Sequence, residues 1–336
     1  MAPAGNDIGG SIYKNAMKFT TLLGENSTLD ITCSDATVTP ASVKLDGTAA
    51  AEATWHGTAS ETGDKEPGFK FNGNAVDLPI GVKVMKRRTV KVAVWLIPRL
   101  RANGTVDQLL YKPTQKELDD FLNSVYQPQV NMAFDCDVIE TPPFKFDIAD
   151  GTDFGAPAET LVPENGYLDT NNKGVAEETT LRDQWNDDKA NVNVYIVGGV
   201  LGIRNRVWIE SIHQLVSTGN FSLGHTDITR RSIFLVSSIA TSDLQGLLDA
   251  VVHEVGHVIL GPGHPDEVVK GKNSKGEIEW VNGGVAPLNG TQQDIRLMCS
   301  GRKRKKDGTA RLLVKAEWDE AHSWCLSETK GDRMTP

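Results

Sequence analysis

The sequence predicts an α/β fold preceded by a small β-rich module, and three observations carry that expectation. Strand-like apolar runs recur beyond residue 88, capped amphipathic helices fall between and after them, and residues 1–87 hold only short alternating segments cut by turn residues. A period of two followed by a mixture of two and 3.6 implies a change of architecture near Arg87.

Within the first 87 residues, Thr28-Leu29-Asp30-Ile31-Thr32 and Ala41-Ser42-Val43-Lys44-Leu45 alternate as half-buried strands do. Turn signals separate them at Leu45-Asp46-Gly47, Glu61-Thr62-Gly63-Asp64 and Phe71-Asn72-Gly73-Asn74, which predicts a sandwich-like β module. It carries no cluster of catalytic side chains. Trp55 and His56 are read as an ordinary buried ring and an exposed imidazole rather than a ligand face.

From residue 88 to 336 the expected order is strand, helix, strand, strand, strand, helix. Val90 to Pro98 is apolar on both faces, as an inner strand must be. Thr114 and Glu117 form a capping box for a helix through Leu118, Phe121, Leu122 and Val125, expected to stop before Pro128. Strands follow at Val130 to Ile139, Val192 to Val197 and Ser232 to Val236, with an acidic segment from Asp147 to Asp188 read as loop. Asp147, Asp150 and Asp153 in that loop are the sites for a possible Ca2+ ion, against the plainer reading of a solvated loop.

The helix expected next is the chemically distinctive one. Ser242 with Gln245 reads as a capping box, Asp243 suits the positive end of the helix dipole, and Leu244, Leu247, Leu248, Val251, Val255, Val258 and Ile259 form a buried stripe. His253 and His257 lie one turn apart on such a helix, so both imidazoles can reach one metal ion. Glu254 is set round from them, where a carboxylate can take a proton from water at the metal. Gly261-Pro262-Gly263 ends the helix, and His264 follows as a third nitrogen donor. A lone helix histidine is usually only that, but two at this spacing with the intervening acid and a third past a glycine turn specify zinc. Three protein ligands leave a fourth position open, the catalytic arrangement.

Beyond His264 a polar, glycine-rich stretch from Lys270 to Asp294 leads to Ile295-Arg296-Leu297-Met298-Cys299-Ser300, and Ala316 to Trp324 reads as a last helix. Cys33, Cys136, Cys299 and Cys325 include no Cys-x-x-Cys pair, which argues against a second, cysteine-based zinc site. A Cys299–Cys325 disulfide joining the turn to the last helix is expected, implying an oxidising compartment; free thiols are the alternative, and a Cys33–Cys136 pairing is left open.

Length and charge bound the rest. A chain of 336 residues exceeds what one core usually organises, so two domains are expected, 1–87 and 88–336. No apolar run approaches the ~20 residues of a membrane span. The opening Met1 to Asp7 has neither a basic start nor an apolar core, so no signal peptide is read there. A net charge of −9 argues against nucleic acid as a partner, and the basic run Arg302 to Lys306 is read as a solvated turn. The protein is expected to be a monomer.

His253-Glu254-Val255-Gly256-His257, Gly261, His264 and the later Leu297-Met298-Cys299 turn resemble the metzincin zinc metallopeptidases, over about residues 88 to 336. The resemblance implies a mixed twisted sheet, an active-site helix, a methionine turn and a C-terminal helix. It also implies His253, His257 and His264 as zinc ligands, Glu254 as general base, Met298 as an apolar floor under the metal, and a secreted or cell-surface endopeptidase acting on protein or glycoprotein. Family substrates pair with the sheet's edge strand, for which Gly219 to Thr229 is the expected segment. His213 and His225 nearby are read as surface histidines.

The chain departs from the family in one respect: Gly261 and His264 each come one residue later than the pattern has them. Asp266 and Glu267 are therefore alternative third donors. A downstream glutamate such as Glu277 or Glu279 would mark the gluzincin type of site instead. A binding or adhesion protein with a vestigial zinc site is the remaining alternative.

Overall fold

The structure, a computed structural model, describes residues 4–6, 12–13, 15–19, 27–33, 36–45, 51–57, 63–65, 67–76, 82–86, 88–101, 103–145, 168–170, 177–200, 203–209, 214–237, 243–261, 263–272, 278–284, 295–300 and 310–329. In several strands, including most of 204–222 and all of 268–282, it describes the backbone alone. The protein is mixed α/β, with several sheets and four helices among the described residues. It divides into two compact units: Met1–Thr89 with Leu122–Ala133 and Cys325–Pro336, and Val90–Phe121 with Phe134–Trp324.

The first stretch, to Lys86, is strand throughout its regular elements. Ser27–Thr32 pairs antiparallel with both Ser42–Leu45 and Gly68–Phe71. The expected alternation decides which residues go inside: Leu29, Ile31, Val43 and Phe69 are buried while Thr32, Lys44 and Lys70 are exposed. The side chains of Trp55 and His56 lie outside the described residues.

The larger unit is organised on a five-stranded sheet. Its strands in chain order are β1 (Arg88–Ile97), β2 (Met132–Glu140), β3 (Val192–Gly198), β4 (Gly224–Asp227) and β5 (Ser232–Ser237), and their spatial order is β2-β1-β3-β5-β4. β3 is parallel to β1 and to β5, and all seven of its residues are buried, which is why Val192 to Val197 reads as an unbroken apolar run. β4 lies at the edge, antiparallel to β5, with Thr226 opposite Ile233 and His225 opposite Phe234. Of the segment expected to form this edge, only Gly224–Asp227 does so; Gly219 to Ser222 belong to the strand Gln214–Ser222, which pairs with Ile203–Ile209 in a separate sheet.

Four helices complete the frame: α1 (Gln115–Val130), α2 (Glu177–Gln184), α3 (Leu244–Leu260) and α4 (Lys315–Thr329). α1 opens on the Thr114–Glu117 capping box as expected, with Thr114 N donating to Glu117 Oε2 at 2.8 Å. It does not stop before Pro128, which lies inside it. The proline falls in the last turn, so the loss of its N–H is confined to the end of the helix, and the Gln129 side chain donates to Val125 O at 2.7 Å. Asn131, at φ 53°, then turns the chain.

α2 corrects the expectation that 147–188 is loop. Its apolar signal is short, Leu181 within it and Trp185 just after, yet Leu181 is wholly buried and both join a cluster with Ile97, Tyr195, Val197, Phe234 and Val236 on one face of the sheet. Tyr195 stacks on Phe234 at 4.9 Å and donates its hydroxyl to Trp185 O at 2.7 Å. α3 packs along β3, β5 and β4. Burying its Leu247, Val251, Val255, Val258 and Ile259 contributes about 1.5–3 kcal/mol each. The cap of α3 is Asp243, which accepts from Gly246 N at 2.7 Å, so the capping residue is the one after the Ser242 read from sequence.

Candidate metal centre

His253 and His257 share one face of α3 and are both buried, with ring centroids 4.7 Å apart. Gly261 ends the helix at φ 94°, a conformation that a side chain would strain, while its N–H donates to His257 O. The turn brings His264 back to within 5.3 Å of the His253 ring and 4.9 Å of the His257 ring. One ligand atom from each of the three rings lies within 4.8 Å of the others, close enough to bind a single metal ion. The one-residue displacement of Gly261 and His264 is thus absorbed: α3 continues to Leu260, and the glycine turn starts one position later.

The second nitrogen of each ring decides what the cluster can hold. His253 Nδ1 lies 2.8 Å from Leu297 O, His257 Nδ1 3.0 Å from Gly261 O, and His264 Nδ1 3.1 Å from Glu267 Oε2. Those oxygens can only accept, so each Nδ1 carries the proton and each Nε2 keeps its lone pair. The Nε2 atoms of His253 and His264 then face each other across 3.2 Å. At that distance the two nitrogens can share either a proton or a bound cation. Nitrogens bound tetrahedrally at ~2.0–2.1 Å from zinc stand ~3.3 Å apart, so the spacing of this pair is compatible with such an ion, while the full set is placed within 4.8 Å.

Glu254 is also buried, and its surroundings come from the edge strand. Thr226 Oγ1 donates to Glu254 Oε2 at 2.5 Å and lies 3.3 Å from Glu254 O. Two residues back on the same side of β4, a Cβ on Gly224 would stand 2.5 Å from Glu254 Oε1, so only glycine leaves room for this carboxylate. The opposite side of β4 is bound to α2: Arg182 pairs with Asp227 at 2.9 Å, and His225 lies 3.4 Å from Glu178. His225 is a half-buried partner of that helix and no part of the triad.

Two further contacts fix the turn that faces His253. Arg296, fully buried, donates to Glu317 Oε1 on α4 at 2.6 Å, and Glu317 Oε2 accepts from Val314 N at 2.9 Å. Leu297 N donates to Leu312 O at 3.0 Å, leaving the Leu297 carbonyl aimed at His253. Met298 is buried beside it, at 2 % exposure. Asp266 accepts from Ser300 N at 2.7 Å and from Ser300 Oγ at 2.5 Å. Burial pushes its carboxyl up, but the lowering influences together, those from Ser300 first among them, hold it below the usual carboxylate range. Asp266 and Glu267, weighed as substitutes for His264, instead anchor its loop and back its ring.

Several sequence expectations fall outside the described residues: Asp147, Asp150 and Asp153, Glu277, His213, and the side chains of Glu279 and Cys325. None of Cys33, Cys136 and Cys299 is in a disulfide, which corrects the expected Cys299–Cys325 bridge and closes the Cys33–Cys136 pairing left open. Burial first, and Asp119 second, push the Cys136 thiol up and leave it a poor nucleophile. The residues that sequence reasoning missed are Thr226 and Gly224. Alternation places them on one side of a strand, but nothing in the sequence says that α3 lies against that side.

Among the described residues no helix is long and apolar enough to cross a membrane. No protein-family model matches the chain, and no curated protein matches it. Among solved structures, the C-terminal 282-residue fragment of intimin, solved with the intimin-binding domain of the translocated intimin receptor, aligns at 15 % identity over 32 % of this chain and 37 % of that one. Its TM-score of 0.21 is too low to carry an argument about fold or function.

Proposed function

We propose that this chain is a zinc-dependent endopeptidase of metzincin type, secreted or at the cell surface, that hydrolyses peptide bonds in proteins or glycoproteins. The observation that carries the reading is the convergence of His253, His257 and His264, each with its Nδ1 turned to an oxygen, beside a buried Glu254. That set supplies three neutral nitrogen donors and one carboxylate poised for proton transfer. A gluzincin-type ligand set is not needed to complete the cluster.

His253, His257 and His264 would hold a zinc ion, with their Nδ1 atoms backed by Leu297, Gly261 and Glu267. Such an ion would supply Lewis-acid polarisation of water and of the scissile carbonyl. Glu254 accepts the proton of the attacking water and passes it to the departing amine. The side of β4 that no described strand pairs offers main-chain groups to an extended substrate, directly beside that carboxylate.

The test is metal content and peptide cleavage measured on the parent and on Glu254→Gln. Zinc is expected to stay at one per chain while cleavage falls about 10²–10⁴-fold, the range for a lost general base. Cleavage that persists unchanged in the variant would remove the proposal.

A further inference from the structure

We infer that Thr226, on the edge strand, is a positioning residue that orients the Glu254 carboxylate for proton transfer; this rests on the peptidase reading above. A carboxylate can accept a proton on either oxygen and can rotate about its last torsion, which is broad and soft. Here both freedoms are restricted. The Thr226 hydroxyl takes Oε2 at 2.5 Å, and Oε1 lies against the bare Cα of Gly224, where even a methyl group would stand 2.5 Å away. The carboxylate is therefore gripped between a hydroxyl and a backbone on one strand, leaving Oε1 as the oxygen not engaged by Thr226.

The strand that supplies this grip is itself held from behind. Arg182–Asp227 ties β4 to α2, with His225 lying 3.4 Å from Glu178 on the same side, while Gly224 and Thr226 face Glu254 of α3. Ladder bonds to β5 fix its register, with Thr226 opposite Ile233. The same strand thus orients the base on its inner face and offers to substrate the edge that no described strand pairs, so docking and proton transfer share one element.

The experiment compares Thr226→Ser, Thr226→Ala and Thr226→Val in the full chain loaded with zinc. Serine and alanine both lose the methyl group and differ only in the hydroxyl, so that pair remains informative even where valine perturbs folding. Three readouts are taken: melting temperature with zinc content, kcat and KM on an unmodified protein substrate, and the affinity of acetohydroxamate, a zinc-directed probe whose binding needs an oriented carboxylate but no turnover. Thr226→Ala is expected to keep zinc and KM within about twofold while kcat and acetohydroxamate affinity fall ten- to a hundredfold, and Thr226→Ser to retain both within about threefold. Equal kcat and equal probe affinity in the serine and alanine proteins overturns the inference. Should Glu254→Gln also match the parent in both readouts, the peptidase reading itself has failed, which distinguishes the two.

Discussion

The three histidines of the cluster are held in two different ways. His253 and His257 stand on a helix anchored by a dozen buried residues, and their Nδ1 atoms are backed by main-chain carbonyls, Leu297 O and Gly261 O. His264 stands on the loop after Gly261, its side chain 21 % exposed, and is backed by the half-exposed carboxylate of Glu267. Backbone acceptors survive any substitution, so two of the imidazoles are fixed by the fold and the third by a side chain. That asymmetry concentrates tunability at His264, where the chain also departs from the usual spacing.

Removing a ligand from each side is the strongest way to test this. Replacing His257 or His264 by alanine should each lower zinc affinity a few hundredfold, since a ligand's share of a zinc site's binding energy is ~3–4 kcal/mol. The two variants should differ without metal. His257→Ala, cut from a buried helix face, should lower the melting temperature of the apoprotein, whereas His264→Ala should leave it nearly unchanged. Titration of zinc against a chelator and calorimetry of the apoproteins check both; equal apoprotein stabilities would break the distinction.

The next effect concerns what backs the helix side. Arg296 and Glu317 form an ion pair at 0 % and 1 % side-chain exposure, and the turn they fix carries the carbonyl that orients His253. Glu317→Ala leaves a buried guanidinium without its carboxylate and should cost about 3–5 kcal/mol, while Arg296→Met combined with Glu317→Leu should cost far less. Denaturant midpoints compare the two. A Glu317→Ala protein as stable as the parent would mean that the turn is held by other contacts.

How much of this could be seen beforehand follows the same division. The helix α3 and its paired histidines were legible because helical periodicity and histidine spacing are local properties of the chain, and the strands because their apolar runs are. Where two effects compete locally the reading slipped by a residue or a turn: Asp243 caps α3 rather than Ser242, and α1 runs through Pro128. Helix α2 was missed because a single wholly buried leucine in eight residues gives no periodic signal. The contacts of Thr226, Glu267, Asp266 and Arg296 were illegible for another reason. Each joins residues that only the tertiary fold, or the reversal after Gly261, brings together.

The smallest predicted effect sharpens the comparison most, because it acts on a partner that only His264 has. Glu267 lies 3.1 Å from His264 Nδ1 and sits half-exposed at 51 %. Truncation to alanine should weaken zinc binding about tenfold, the lower end for an outer-shell partner of a metal histidine, since water can take over part of the bond. Glu267→Gln, which keeps a carbonyl acceptor but not the charge, should fall within about threefold of the parent. The same measurement on His253 has no equivalent, because its partner is the Leu297 carbonyl. If Glu267→Ala left the affinity untouched, His264 would be oriented by its loop alone, through Asp266 and its two bonds from Ser300. The third ligand would then be as firmly built into the fold as the other two, by a different route.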